Sequence, residues 1–243
     1  MKITFVRHAE SHNNYIYYLY RNGRDKYIID PPLSELGEQQ ATALADFLAE
    51  HREEFNFDQI LVSPLQRTLQ TAASLTHVYP NTPKSVWLQL VEGGGCRELI
   101  QLNPKVVKTG AGLGRSEMMQ RFPEVTLPAE VTEDGWYFSD DEEPYTDRIY
   151  RGYAVVEQLV EDYGSSEAHI ALVSHGEFYD HFVFAILQRT RQEDLRFGIE
   201  NTGISQFSYT ANEAISYDPG FWRIEYMNRH EWLTGDLRRD WSA

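Results

Sequence analysis

The sequence predicts a three-layer α/β/α fold with a mostly parallel sheet, on three observations. Short apolar runs rich in β-branched residues, Lys2 to Val6, Gln59 to Val62 and His169 to Ser174, have the length and composition of buried strands. Segments with apolar residues at helical spacing alternate with them, the pattern of strands and helices stacked in layers. The chain has 243 residues, long enough for a substantial core, and its single cysteine, Cys96, excludes an internal disulfide.

In chain order, Lys2 to Val6 is the first strand. A helix over Ser34 to His51 follows from the spacing of Leu36, Ala41, Leu44, Ala45, Phe47 and Leu48, with Ser34 as N-cap. Gln59 to Val62 is the second strand, and Pro64 to Thr76 the second helix, opened by proline in its first turn. Val86 to Leu90 is the third strand. From Gly93 to Thr146 the rhythm breaks, with Gly93-Gly94-Gly95, Gly110, Gly112 and Gly114, several prolines, Trp136-Tyr137-Phe138 and an acidic run from Ser139 to Glu143. Connections this long within a compact domain serve as lids or binding loops, and the aromatics argue against disorder. The segment from about 93 to 146 is therefore expected to be a cap inserted over the active site of a single domain spanning 1–243. Helices over Glu143 to Tyr163 and Phe178 to Gln188 flank the strand at His169 to Ser174, and strands at Ile204 to Tyr209 and Trp222 to Met227 close the sheet.

Composition narrows the partners. The net charge of −15, from 37 acidic and 22 basic residues, argues against nucleic acid and anionic membrane. A small anion responds instead to the local field of a cleft, which a few arginines can make positive. No stretch approaches the roughly 18 consecutive apolar residues of a membrane span. The chain enters a strand without an apolar leader and carries one cysteine, so a cytoplasmic location is expected. No His-Glu-x-x-His or clustered Cys/His spacing occurs, so neither a metal nor a cofactor is expected. Trp222 to Met227 and Arg238 to Trp241 are candidate surfaces for a homo-oligomer.

The chemistry sits where the strands end, the edge at which open α/β sheets bind ligands. The first strand runs into Arg7-His8-Ala9-Glu10-Ser11 with Asn14 beyond, the second into Ser63-Pro64-Leu65-Gln66-Arg67-Thr68, and the third quoted run into His175-Gly176-Glu177. Two arginines offer forked, charge-assisted donors to phosphate oxygens, and a neutral histidine can attack phosphorus. Arg21, with Arg24 and Lys26, is a candidate for a second anionic group or else a solvated basic face. The run Tyr15, Tyr17, Tyr18, Tyr20 is either an aromatic platform or packing, and His12 is a rim residue. Ser174 is not the nucleophile of an elbow, because Leu172 stands where the sharp turn needs glycine.

These motifs, in this order, resemble the histidine phosphatase superfamily, also called phosphoglycerate-mutase-like. That family opens with Arg-His-Gly-Glu-Ser/Thr and an asparagine six residues after the histidine; here Ala9 replaces the glycine and Asn14 matches. The likeness continues through Asp30-Pro31-Pro32-Leu33-Ser34-Glu35-Leu36-Gly37-Glu38-Gln39-Gln40-Ala41, Ser63 to Ala72 and Ser174-His175-Gly176-Glu177. It implies a phosphomonoester hydrolase of the histidine acid-type acting through a phosphohistidine on a small phosphorylated metabolite. His8 would be the nucleophile, with Arg7, Arg67, His175, Ser11, Asn14 and the backbone at Gly176 around the phosphate. The family's proton-donating glutamate closes the strand before its insertion, which points to Glu92, with Glu98 as the competitor; Gly93-Gly94-Gly95 would let phosphate approach the backbone. Two alternatives stand beside this reading. One is a phosphoglycerate-mutase-type phosphotransferase, although glycolytic mutases carry Arg-x-Tyr-Gly where this chain has Gly93-Gly94-Gly95-Cys96-Arg97; the other is a pseudoenzyme that binds phosphorylated ligands without turnover.

Overall fold

The computed structural model describes residues 1–21, 24–102, 105–189, 195–212 and 220–239. In chain order the elements are β1 (Lys2–Arg7), α1 (His12–Tyr20), α2 (Glu35–Glu50), β2 (Gln59–Val62), α3 (Gln66–Ser74), β3 (Lys84–Val86), β4 (Arg97–Leu102), β5 (Lys105–Thr109), α4 (Arg115–Arg121), α5 (Tyr145–Tyr163), β6 (His169–Ser174), α6 (Gly176–Ile186), β7 (Ile204–Thr210) and β8 (Phe221–Arg229). Six strands form one sheet in the order β3-β2-β6-β1-β7-β8. The strands β3, β2, β6 and β1 run parallel, and β7 and β8 add antiparallel at one edge.

Successive side chains on a strand face opposite sides, and the central strands β1, β2 and β6 are covered on both, which is why their sequences are predominantly apolar. Ile3 and Phe5 of β1, with Ile170 and Leu172 of β6, pack against Val155 and Leu159 of α5 and Phe178 and Phe182 of α6. Val6, Ala171 and Val173 face the other way, toward Leu44 and Leu48 of α2 and Leu69 of α3. The three-layer α/β/α architecture is thus present. The parallel register sets Arg7 opposite Ser174 and Val62 opposite Val173. The ladder then runs one residue further, His8 N–H donating to the Ser174 carbonyl at 2.9 Å and Ser63 N–H to that of Val173 at 3.0 Å. The chains bearing His8, Ser63 and His175 therefore leave the sheet side by side.

Several elements differ from the sequence pattern. The strand expected at Val86–Leu90 is shifted: β3 ends at Val86, and Leu88–Leu90 is a single 3-10 turn closed by Leu90 N–H to the Trp87 carbonyl at 3.0 Å. In a straight strand Val86, Leu88 and Leu90 would share one face; here Val86 and Leu88 join the core on the α2 and α3 side and Leu90 the core under α5 and α6. The proline-opened helix begins two residues late, at Gln66, and no side chain of its N-cap Leu65 caps it. Asp30 supplies that cap instead, Oδ1 accepting Gln66 N–H at 2.8 Å. The helices expected to open at Glu143 and Phe178 begin at Tyr145 and Gly176. The segment before α5 holds the β4–β5 hairpin and α4, and it places Leu113, Met118, Phe122 and Trp136 in the core on the α2 and α3 side. Trp222 to Met227 lies within the edge strand β8, whereas Trp241 lies outside the described residues. No helix among the described residues is long and apolar enough to cross a membrane.

Asp30 gives a test of how tightly the site is seated. It adopts a positive φ of 49°, is buried, and leaves Oδ2 without a partner, so burial pushes its carboxyl up to about 6. A carboxyl raised on folding costs stability above its folded pKa, and the cost vanishes below the unfolded value of 3.8. Asp30→Asn keeps the accepting oxygen and tolerates the left-handed backbone. It is expected to stabilise the protein at pH 8 by up to about 3 kcal/mol, from roughly two units at about 1.4 kcal/mol each, and by little below pH 4. Thermal unfolding at both pH values checks this, and equal shifts would refute it.

Candidate active site

His8 stands at the end of β1 and is 3% exposed. Its Nδ1 lies 2.6 Å from the carbonyl oxygen of Ala9, which can only accept, so the proton sits on Nδ1 and Nε2 carries a lone pair. Arg67, the second residue of α3, donates from Nε to that Nε2 at 3.2 Å. Burial, then the charges of Arg67 and Arg7, hold the His8 imidazole well below its ordinary pKa, so it is neutral at pH 7. The Ala9 N–H donates to Thr71 Oγ1 at 3.0 Å, and its methyl packs with Leu33 and Ala41, so the methyl that replaces the usual glycine hydrogen is accommodated.

His175 is the N-cap residue of α6, its ring centroid 5.1 Å from that of His8. Its Nε2 lies 2.7 Å from Ser63 Oγ, and its buried Nδ1 has no partner. If the Ser63 hydroxyl donates to Nε2, the His175 proton is on Nδ1, available to an anion. Arg7 is similar: Nη1 is held by the Ile199 carbonyl at 2.6 Å, while the buried Nε has no partner. Two orphaned nitrogens thus lie beside a histidine lone pair. Buried polar groups rarely stay unsatisfied, and a tetrahedral oxyanion seated here would satisfy both.

Glu92 follows the 3-10 turn and reaches the first turn of α6. Its Oε1 accepts Gly93 N–H at 2.9 Å and Phe178 N–H at 3.1 Å. Those bonds and Arg67 favour the ionised form, but burial and the neighbouring Glu177 outweigh them and raise the pKa of the carboxyl. Glu98, on β4, is pushed up to about 7, chiefly by burial. Position separates the two: Glu92 is held against the first turn of α6, which His175 caps, whereas Glu98 stands on β4 of the β4–β5 hairpin.

These groups open into a cavity of about 880 Å³, whose lining includes Arg7, His8, Ser11, Asn14, Arg67, Glu92 and Gly176. The expected residues converge, with His175 behind them. Ser11 and Asn14 also cap α1, Ser11 N–H donating to Asn14 Oδ1 at 3.1 Å and Asn14 N–H to Ser11 Oγ at 3.3 Å. Arg21 caps the C-terminus of α1 with its guanidinium 5.7 Å from the Tyr17 ring centroid, and the lining includes its neighbour Arg24 in its place. At the glycine run a Cβ on Gly93 would strike the Glu177 carboxylate and one on Gly94 the Arg97 guanidinium, so side chains pack closely on this backbone, and Gly93 lines the cavity.

The motif that carries His8 is tied to distant parts of the chain. Glu10 is fully buried; it accepts from Ser34 Oγ at 2.6 Å and from Arg239 Nε at 2.8 Å, near the other end of the chain. Gln40 ties the same two regions, accepting Glu10 N–H at 2.9 Å and donating to the Leu237 carbonyl at 2.8 Å. Arg239 lies over the rings of Tyr18 and Tyr15, which accounts for two members of the tyrosine run as packing. Contacts spanning 197 and 229 residues have no local sequence pattern to announce them.

The model of the histidine phosphatase superfamily (branch 1) matches residues 3–96 and 108–218. The chain belongs to that superfamily. A phosphoserine phosphatase 1 of Hydrogenobacter thermophilus is 40% identical over 75 residues, 31% of this chain and 31% of that protein. The fructose-2,6-bisphosphatase TIGAR B of Danio rerio is 40% identical over 74 residues, 29% of this chain and 24% of that protein. The matches thus span less than a third of either relative's length. Among solved structures, a phosphoserine phosphatase of Entamoeba histolytica superposes with a TM-score of 0.60 at 20% identity, covering 96% of this chain and 99% of that one. A mycobacterial glucosyl-3-phosphoglycerate phosphatase gives a TM-score of 0.57 at 22% identity, covering 93% and 98%. At these identities the structural likeness concerns the fold, which is that of the superfamily.

Proposed function

We propose that the protein is a phosphomonoester hydrolase of the histidine acid-type that forms a phosphohistidine at His8 Nε2 and acts on a small phosphorylated metabolite in the cytoplasm. One observation carries the reading: the lone pair of His8 Nε2 shares a buried floor with the unsatisfied nitrogens Arg7 Nε and His175 Nδ1. In the first step Nε2 bonds to phosphorus, the ester P–O bond breaks, and the proton of Glu92 passes to the departing oxygen. In the second, a water oxygen bonds to phosphorus, the N–P pair returns to Nε2, and Glu92 takes the water's proton. Arg7, Arg67 and His175 surround the equatorial oxygens, and this fixed array of donors supplies most of the stabilisation of the transition state. The segment that carries Arg97 and Glu98 acts as the cap, forming the wall that faces the leaving group.

The purified protein, assayed in EDTA, is expected to release inorganic phosphate from p-nitrophenyl phosphate and to be inhibited by vanadate, which mimics a five-coordinate phosphorus. A panel of phosphoserine, fructose 2,6-bisphosphate and glucosyl-3-phosphoglycerate, substrates named by the relatives, ranks its preference. Transfer of phosphate between acceptors without net release would overturn the hydrolase reading, as would inactivity on every phosphomonoester.

A further inference from the structure

The cavity is larger than a phosphate requires, and its outer charges are paired with two exceptions. Arg97 lies 3.3 Å from Glu142, Arg148 is 2.7 Å from Glu177, and Arg196 is 3.6 Å from Asp180. Glu98 and Arg24 both line the cavity, and neither forms an ion pair among the described residues. Glu98 is half-buried on β4. Arg24 is half-buried in the 3-10 turn Arg24–Lys26, which packs on β4; its Nε is buried without a hydrogen-bond partner. Between them stands Tyr27, with the Arg24 guanidinium 5.9 Å from its ring centroid and both charges acting on its phenol.

An unpaired carboxyl and an unpaired guanidinium on adjoining elements of one cavity are complementary to a ligand that carries a cation and an anion of its own. We infer that the substrate carries, beside its phosphate, an ammonium group that docks on Glu98 and a carboxylate that docks on Arg24, which makes it a phosphorylated amino acid. This rests on the phosphatase reading and names its substrate class. Burial leaves the Glu98 carboxyl at about 7; Arg67 and Arg97 pull it down and Glu92 pushes it up. An ammonium needs it ionised, so KM for an ammonium-bearing substrate falls as pH rises through about 7.

Three probes isolate the two contacts: O-phosphoserine, 3-phosphoglycerate, in which a hydroxyl replaces the ammonium, and phosphoethanolamine, which lacks the carboxylate. Wild type is expected to prefer phosphoserine to 3-phosphoglycerate in kcat/KM by about 10- to 100-fold, the range for a charged hydrogen bond. Glu98→Gln collapses that ratio toward one. Arg24→Met collapses the preference over phosphoethanolamine and spares the first ratio. Equal losses on phosphoserine and 3-phosphoglycerate in Glu98→Gln would overturn the inference, as would a wild type without either preference. Wild-type turnover of p-nitrophenyl phosphate separates the two levels: activity there without amino-acid preference defeats only this inference, and inactivity there defeats the phosphatase reading.

Discussion

His8→Ala is expected to reduce phosphate release to background, a loss on the order of 10⁴-fold or more, because it removes the atom that bonds to phosphorus. The site gives no substitute: the His175 ring is committed through Nε2 to Ser63, and what remains is a donor array without a nucleophile. Substrate binding should largely survive, since Arg7 and Arg67 persist. Wild type quenched in mid-turnover should carry one phosphoryl group that is labile in acid and stable in alkali, as expected of an N–P bond, and His8→Ala should carry none. The pH profile adds a second readout. With the His8 pKa held well below 6.5, the imidazole remains an unprotonated nucleophile in mild acid, so the acidic limb of kcat/KM lies below the ordinary histidine value. Substantial turnover in the variant, or an acid-stable adduct, would remove His8 from the mechanism.

How much was legible depended on whether the cause was local. The strands β1, β2 and β6 declare themselves because a strand buried on both faces is predominantly apolar, and the residues after them carry the chemistry because parallel strands end at one edge. Ser34 was readable as an N-cap because its bond to Gly37 N–H, 3.0 Å long, spans three residues. The 3-10 turn at Leu88–Leu90 was not, since its apolar residues read equally as strand until both cores are in place. The helix α1 was missed for the opposite reason. Its capping pair, Ser11 and Asn14, consists of residues that also face the cavity, and a functional reading of that motif masked the structural one. A basic cluster in sequence does not say which member turns toward the cavity, and of Arg21, Arg24 and Lys26 it is Arg24 that lines it.

Glu92→Gln is expected to cost on the order of 10²- to 10⁴-fold in turnover of an alkyl phosphate, the range for lost proton transfer, and far less for an aryl phosphate with a good leaving group. The amide preserves the accepting oxygen that holds Gly93 N–H and Phe178 N–H, so the start of α6 and the donors around it should stay in place. What it lacks is the acidic proton. Burial and Glu177 raise the Glu92 carboxyl, so the protonated form persists toward neutrality and disappears as pH rises through that shifted value. Wild-type activity on an alkyl phosphate should therefore show an alkaline limb that Glu92→Gln lacks. Distortion of the pocket would slow both substrate types alike, whereas a missing acid penalises only the poor leaving group. Glu98→Gln should show no such dependence on leaving group, because its carboxyl stands on the β4–β5 hairpin and not at the head of α6 beside His175. If the leaving-group dependence appears in Glu98→Gln and is absent from Glu92→Gln, the proton comes from the cap hairpin, and the carboxyl at the head of α6 serves only to hold that helix.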